Sequence, residues 1–168
     1  HTVDEVLATP DLFFSEYIEG SSNNKAIEIY NPTDAALDLT GYVINYYNNG
    51  ALTPTKTFDL TGITLAAGET YVFCNDALTD LTNCDVTQAY GVTGDVTHFN
   101  GNDVMEIQKN GITIDLMGII GSEADFAKDV TIVRNSDVLM GNPVFDLTEW
   151  TTLAQDTIDG LGAHTVDE

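Results

Sequence analysis

The chain has 168 residues, a length typical of one domain. It carries 27 acidic and five basic residues, for a formal net charge of -22. A nucleic-acid or anionic-lipid surface requires clustered lysine and arginine, so this composition excludes direct nucleic-acid binding. A strongly acidic surface is typical of a protein that stays solvated in a salt-rich medium, or of one that attracts divalent cations.

The N-terminal third contains two strand patterns separated by a turn. Residues 12–19 alternate in character, which predicts a strand with two faces. Ser21–Asn24 is a turn cluster and residues 26–30 alternate again. Asn31-Pro32 ends this second strand, because proline cannot donate to a β-ladder. The first strand would carry Leu12, Phe14, Glu16 and Ile18 on one face, and Phe13, Ser15, Tyr17 and Glu19 on the other.

Short β-like runs bounded by Gly, Pro, Asn or Asp continue to the end of the chain. Asn110-Gly111 lies between two of them and is a strong hairpin signal. Residues 74–82 are expected to form one short helical turn, with Asn75 or Asp76 as its N-cap. We therefore predict an all-β sandwich of seven to nine short strands. The later runs are Gly41–Tyr47, Thr57–Leu60, Thr70–Cys74, Val104–Gln108, Ile112–Gly118 and Val130–Arg134.

Several blocks of the sequence resemble the lamin-tail domain, in its bacterial version. The blocks are Ser15–Gly20, Asn24–Asn31, Leu37–Tyr42, Phe99–Asp103, Asn110–Asp115, Glu149-Trp150, Gln155–Thr157 and Leu161–Thr165. The resemblance implies an immunoglobulin-like β-sandwich, of the kind found in nuclear lamins, bacterial secreted nucleases and large surface proteins. It implies no catalytic residues.

The two termini carry the same pentapeptide. His1–Glu5 and His164–Glu168 both read HTVDE. We interpret this as the junction of a unit that repeats in tandem; an arbitrary boundary is the alternative. The expected organisation is a junction over residues 1–10, the sandwich over residues 11–163, and a junction to a next repeat over residues 164–168.

Two cysteines, Cys74 and Cys84, are separated by nine residues. In an extracellular protein this spacing allows one disulfide that closes the 75–83 loop. Two free thiols are the alternative, and a catalytic cysteine is disfavoured.

The sequence contains no recognisable hydrolase motif. A G-x-S-x-G elbow, an H-E-x-x-H motif and a glycine-rich phosphate loop are all absent. Of the three histidines, His98 alone lies within the body of the domain, so no Ser-His-Asp arrangement is predicted. We therefore expect a protein without enzymatic activity.

Calcium is the one cofactor that the sequence suggests, because carboxylate and amide oxygens are its preferred ligands. One candidate set lies on the first two strands: Glu16, Glu19 and Glu28. The second set lies in an acidic turn: Asp95, Asn100, Asn102 and Asp103. In the alternative interpretation, Glu16 and Glu28 serve the fold, by pairing with Lys25 or Arg134 or by accepting backbone N–H groups.

One aromatic-polar turn, Tyr46-Tyr47-Asn48, is expected to be exposed and to face a sugar or a protein partner. The remaining aromatic residues alternate with aliphatic ones, which favours a role in the core.

Together these features predict a non-catalytic extracellular or cell-surface module of a larger secreted bacterial protein. It would space, dock or present neighbouring domains of its parent chain. The alternative is a ligand-binding module that recognises carbohydrate, protein or calcium through its end loops. Membrane insertion is not expected, since no apolar run approaches the ~20 residues that a bilayer requires.

Overall fold

The computed structural model describes residues 9–167, and these residues form an all-β fold, as predicted. They contain twelve strands, more than the seven to nine expected, because strands of two or three residues show no periodicity in sequence. The strands are β1 (Phe13–Glu19), β2 (Lys25–Tyr30), β3 (Leu37–Asp38), β4 (Tyr42–Tyr47), β5 (Lys56–Asp59), β6 (Thr64–Leu65), β7 (Thr70–Asn75), β8 (Val86–Gln88), β9 (Val104–Lys109), β10 (Ile112–Met117), β11 (Thr131–Arg134) and β12 (Trp150–Leu153).

The strands form two large sheets and one small one. The six-stranded sheet has the order β12-β11-β1-β2-β7-β8, and the four-stranded sheet has the order β10-β9-β4-β5. The short strands β3 and β6 form the third sheet. Every pairing is antiparallel except that of β7 with β8. This arrangement is the immunoglobulin-like β-sandwich that the sequence indicated.

The main core lies between the two large sheets. The six-stranded sheet contributes Tyr17, Ile27 and Phe73, and the four-stranded sheet contributes Ile44 and Ile107; all five are fully buried. The predicted alternation of large apolar side chains therefore serves to fill the space between two sheets.

A β-bulge at Ser15 changes the predicted faces of β1. The pairing of β1 with β2 shifts between Phe14 and Glu16, so two β1 residues oppose one β2 position. As a result Tyr17 joins Phe14 in the main core, whereas Ile18 packs on the outer side of the sheet. The prediction that Phe14 and Ile18 share a face was wrong, because strict alternation holds only in an unbulged strand.

The outer face of the six-stranded sheet is covered by residues 156–167, which we call the C-terminal strap. Leu161 of the strap packs into a second apolar cluster with Ile18, Val72 and Leu78. Near its end, the His164 ring contacts the Tyr30 ring at 4.9 Å between centroids. The sheet therefore has apolar contacts on both sides.

The strap includes most of the segment that we expected to be a junction. The Asp167 backbone N–H donates to the Ser136 carbonyl at 2.7 Å, so residues 164–167 lie against the domain. The N-terminal copy of the pentapeptide lies outside the described residues, as do the rest of residues 1–8 and residue 168.

The predicted disulfide is present and joins Cys74 to Cys84, with 5.8 Å between the Cα atoms. The helical turn predicted within its loop was wrong. Asn75 is the last residue of β7, and its Oδ1 accepts the Ala77 N–H at 2.9 Å to form a turn. The only helix in residues 9–167 is a 3₁₀ turn at Leu147–Glu149. Within this range no helix is long and apolar enough to cross a membrane.

A buried ion pair connects the two large sheets. Arg134 of β11 binds Asp115 of β10, with Nη1 3.0 Å from Oδ2, and both side chains are almost completely buried. Asp115 also accepts the backbone N–H groups of Phe14 at 2.8 Å and Asn142 at 2.9 Å. The guanidinium stacks over the Trp150 ring at 4.7 Å. One carboxylate thereby fixes three segments.

We predict that Arg134→Met lowers the free energy of unfolding by about 3–5 kcal/mol, because it leaves the Asp115 charge buried without a positive counter-charge. Urea denaturation measures the change. Lys128→Met is the control: Lys128 pairs with Asp125 at 3.7 Å on the surface, and its loss should cost less than about 1 kcal/mol. Equal losses in the two variants would contradict the structural role given to Arg134.

Candidate functional site under the C-terminal strap

Two of the predicted calcium ligands, Glu16 and Glu28, meet on the outer face of the six-stranded sheet. They are direct cross-strand partners in β1 and β2, and both are buried. The bulge at Ser15 turns Glu16 to this face, and Ser15 Oγ itself donates to Glu28 Oε1 at 2.6 Å. The strap supplies a second donor, since the Gly162 N–H binds Glu28 Oε2 at 2.7 Å.

Glu16 differs from Glu28 because its carboxylate lacks donors. Its Oε1 is buried without a hydrogen-bond partner, and the residue is only 2 % exposed to water. Gly160 of the strap lies directly over it: a Cβ at this position would come within 3.0 Å of Glu16 Oε2. The strap thus covers a carboxylate oxygen that receives no hydrogen bond from the described protein atoms. Burying such a charge costs free energy unless a proton or a cation neutralises it.

The electrostatics of the pair follow from this burial. Burial raises the pKa of Glu16 to about 8, with smaller contributions from the negative charges of Glu28 and Asp159. Burial likewise raises the pKa of Glu28 to about 7, although the bonds from Ser15 and Gly162 oppose the shift. Two adjacent carboxylates with raised pKa values favour binding of a proton or a positive ion between them.

Glu19, the third member of the predicted set, lies elsewhere. It projects to the other side of β1, where its Oε1 binds Lys25 Nζ at 3.1 Å and its Oε2 accepts the Asp129 backbone N–H. Glu16 and Glu19 are three residues apart, an odd spacing that places them on opposite faces of a strand. The expectation that all three glutamates come together was therefore wrong for Glu19.

The second predicted set does not form a common site. Asp95 is buried, and its carboxylate is bound by Lys56 at 3.1 Å, by the Thr97 N–H at 3.0 Å and by His98 Nδ1. These donors hold the loop before β9, so Asp95 serves the fold. His98 is thus a hydrogen-bond partner of Asp95 within this loop.

The other members of that set are also occupied or separate. Asp103 accepts from the Tyr46 hydroxyl at 2.9 Å and from the backbone N–H groups of Asn49 and Asn100. Asn102 instead reaches the carbonyl of Glu123 at 3.4 Å. Throughout residues 9–167, no group of three or more His, Cys, Asp or Glu side chains converges to hold a metal ion.

The aromatic turn expected to face a ligand is not exposed. Tyr46 and Tyr47 belong to β4 and are each 5 % exposed. The Tyr47 hydroxyl donates to Glu106 at 2.6 Å, and that of Tyr46 is bound to Asp103. Only Asn48 reaches solvent. The sequence pattern was misleading because the two tyrosines use polar partners inside the sandwich.

Sequence reasoning did not find the strap residues that complete the site. Gly160 and Gly162 are more than 130 positions from Glu28, and no spacing rule connects them. The one available signal was the family-like block Leu161–Thr165 at the end of the chain.

A model of the lamin tail domain matches residues 5–121. The chain belongs to the lamin tail domain family. This family is an immunoglobulin-like fold without enzymatic activity. The matched range includes β1 to β10, whereas β11, β12 and the strap follow it. A search of curated proteins found no match.

In this lamin tail domain we predict that Glu16→Gln reduces the dependence of stability on pH. Because the pKa of Glu16 is raised in the folded state, the folded protein binds more protons than the unfolded chain between about pH 4.5 and 8. The free energy of unfolding therefore falls as pH rises through this window, by about 1.4 kcal/mol per unit of pKa shift at most. Glu16→Gln removes that loss.

The measurement is urea denaturation in chelator at pH 5 and pH 8. The variant should gain stability over the wild type at pH 8 and little at pH 5. Glu123→Gln is the matched control, because Glu123 is exposed. A pH dependence identical in the wild type and Glu16→Gln would show that Glu16 titrates normally.

Proposed function

We propose that this domain is a non-catalytic extracellular module of a larger secreted or cell-surface bacterial protein, and that it docks or presents neighbouring parts of that protein. Family membership supports the lack of catalysis. The disulfide supports an oxidising location, since such bonds persist outside the cytosol. The net charge of -22 supports solubility in a salty medium.

The choice among spacing, docking and presentation rests on where the chain enters and leaves the sandwich, at Pro10 and Asp167. Pro10, at the start of the sandwich, lines one surface cavity together with Val166 and Asp167 of the strap. The chain therefore enters and leaves the domain at the same end. A stalk gains length from each added domain only when the chain enters and leaves that domain at opposite ends. Entry and exit at the same end instead favour a domain that projects sideways from the line of the chain.

The repeated pentapeptide extends this proposal to an array. If the HTVDE at residues 164–168 is shared with a following copy, the residues between the docked Asp167 and the next Asp11 correspond to Glu5–Pro10. Six residues span at most about 20 Å. Successive domains would then be held close to one another around their junctions, which suits a dense presentation of surfaces.

Small-angle X-ray scattering of chains with one, two and three copies, joined through single shared HTVDE junctions, tests this arrangement. We expect the maximum dimension to rise from one copy to two and to change little from two to three. A combined His164→Gly and Val166→Gly change at each junction should release the strap end and increase the dimension. Thr165→Gly is the control, because Thr165 is exposed. Growth by a full domain length with every copy would refute the proposal and indicate a stalk.

Calcium binding is a second role, favoured by the buried and unpartnered carboxylate of Glu16. Glu28, its cross-strand partner, brings a second carboxylate beside it, and carboxylate oxygens are the ligand type that calcium prefers. A cation at this position would lock the strap onto β1 and β2 and compensate for the two adjacent negative charges.

Thermal melting at neutral pH in chelator and in added calcium tests this second role. We expect calcium to raise the midpoint of the wild type and of Glu123→Gln, because binding to the folded state alone stabilises it. Glu16→Gln and Glu28→Gln should show no such increase. An unchanged wild-type midpoint would exclude the site.

A further inference from the structure

A buried lysine lies beside an asparagine carboxamide at one end of the sandwich. Lys25, the first residue of β2, is 4 % exposed. Its Nζ lies 3.3 Å from Asn100 Oδ1 and 3.1 Å from Glu19 Oε1, and it also donates to the Phe99 carbonyl. The amine and the carboxamide are thus in contact, with a buried carboxylate touching the amine.

These three groups have complementary chemistry. An unprotonated amine is a nucleophile, the carboxamide carbon is an electrophile, and a carboxylate within hydrogen-bond reach is a proton acceptor. Two reactants held together in a folded protein react at an effective concentration of about 10⁵–10⁸ M when their orientation is favourable, with the reacting atoms about 3–3.5 Å apart. Nζ lies 3.3 Å from Oδ1, which is bonded directly to the electrophilic Cγ, so the amine is next to the carbon that it would attack.

The surrounding contacts hold the groups in place. The Asn100 backbone N–H donates to Asp103 Oδ2 at 2.7 Å, and its carbonyl accepts the Tyr17 hydroxyl at 3.0 Å. The Tyr17 ring stacks on Phe99 at 4.5 Å, which positions the apolar wall next to Lys25. The loop that carries Asn100 is therefore held to β1 through Tyr17 and closed on itself through Asp103.

The site is closed around the amine and open around the leaving group. Glu19 is 6 % exposed, like Lys25 nearly inaccessible, whereas Asn100 is exposed. Glu19 and Asn100 line a surface cavity together with Lys128. Water is thus kept from the amine, and ammonia released from the carboxamide has a path to solvent.

We propose that Lys25 and Asn100 form an intramolecular isopeptide bond, with Glu19 as the proton-transfer residue. The Lys25 ammonium gives a proton to Glu19, and the free amine then attacks Cγ of Asn100. A Cγ–Nζ bond forms, and the attacking nitrogen passes its remaining surplus proton to Nδ2. The Cγ–Nδ2 bond then breaks, and the ammonia that leaves takes up the proton held by Glu19 and departs as ammonium. An amine and a primary amide become a secondary amide and ammonia, so no oxidant, reductant or cofactor is needed.

The bond would join β2 of the six-stranded sheet to the loop before β9 of the four-stranded sheet. It would close a loop with a sequence separation of 75, which contains the Cys74–Cys84 disulfide. A covalent connection of this length restricts the unfolded chain more than the short disulfide loop does. Such a cross-link suits a module that remains folded outside the cell, although its formation depends only on the three groups described.

Mass spectrometry of the intact protein, with the disulfide reduced, tests the proposal. The expected mass is lower than that of the sequence by one molecule of ammonia. Trypsin cleaves after a free lysine, so the digest should lack cleavage after Lys25 and contain one branched peptide that joins Lys25 to Asn100. A full sequence mass, with normal cleavage after Lys25, would overturn the proposal.

Variants separate the cross-link from a succinimide, because Asn100-Gly101 could also lose ammonia by cyclising onto its own backbone. Lys25→Arg should restore the full mass, whereas a succinimide would persist in this variant. Asn100→Ala should do the same, and Glu19→Gln should leave most molecules uncross-linked. Lys128→Arg, beside the same cavity, should retain the loss. Retention of the loss in Lys25→Arg would refute the bond, and the wild-type peptide map decides the question even if a variant fails to fold.

Discussion

The buried pair of Arg134 and Asp115 is the interaction on which the geometry of the sandwich most depends. Each residue lies on a different large sheet, and the carboxylate also accepts backbone N–H groups from β1 and from the segment after β10. A charge in an apolar interior requires compensating donors, and the Asp115 carboxylate has them from two guanidinium nitrogens and two backbone N–H groups. This requirement fixes how the two sheets are aligned, and hence where the loops at each end of the sandwich meet.

The outer face of the six-stranded sheet also buries charged side chains, but without a basic partner among the described residues. There the acids of β1 and β2 are adjacent, and the chain covers them with its own C-terminal strap. Glycines at 160 and 162 make this close approach feasible, since one approaches the Glu16 carboxylate and the other gives its N–H to Glu28. Burial raises the pKa of both acids, and the charge of Glu28 raises that of Glu16 further, so the strap that buries them is linked to their protonation state.

Acidic side chains on the surface and acidic side chains in the interior have different effects on this protein. Most of the described acidic side chains are outside the core, where their charge favours solubility. The buried ones are each engaged with defined donors, as with Asp95 and Lys56 or Glu19 and Lys25. Glu16 stands apart from these because none of the described groups donates to it. A high number of acidic residues in the sequence therefore does not locate a cation site. One buried carboxylate without hydrogen-bond donors in the structure does identify a specific candidate.

The sequence by itself determined the all-β class and the family, and it indicated the disulfide, which the structure confirmed. Each of these depends on local alternation, on short blocks of residues or on the spacing of two cysteines, all of which are visible along the chain. Local pattern did not reveal the bulge at Ser15, and so the faces of Phe14, Tyr17 and Ile18 were assigned incorrectly. A bulge adds a residue without leaving a sequence signal, and it is defined by the partner strand.

Only the tertiary structure decided which polar residues meet. It separated Glu19 from Glu16 and Glu28, buried the tyrosines of β4, and brought Lys25 to Asn100 across a separation of 75 residues. Contacts between residues so far apart depend on sheet order and register, which the periodicity of one strand does not encode. The sequence thus defined the sandwich and its family, and the packing of two sheets and a strap defined its candidate sites.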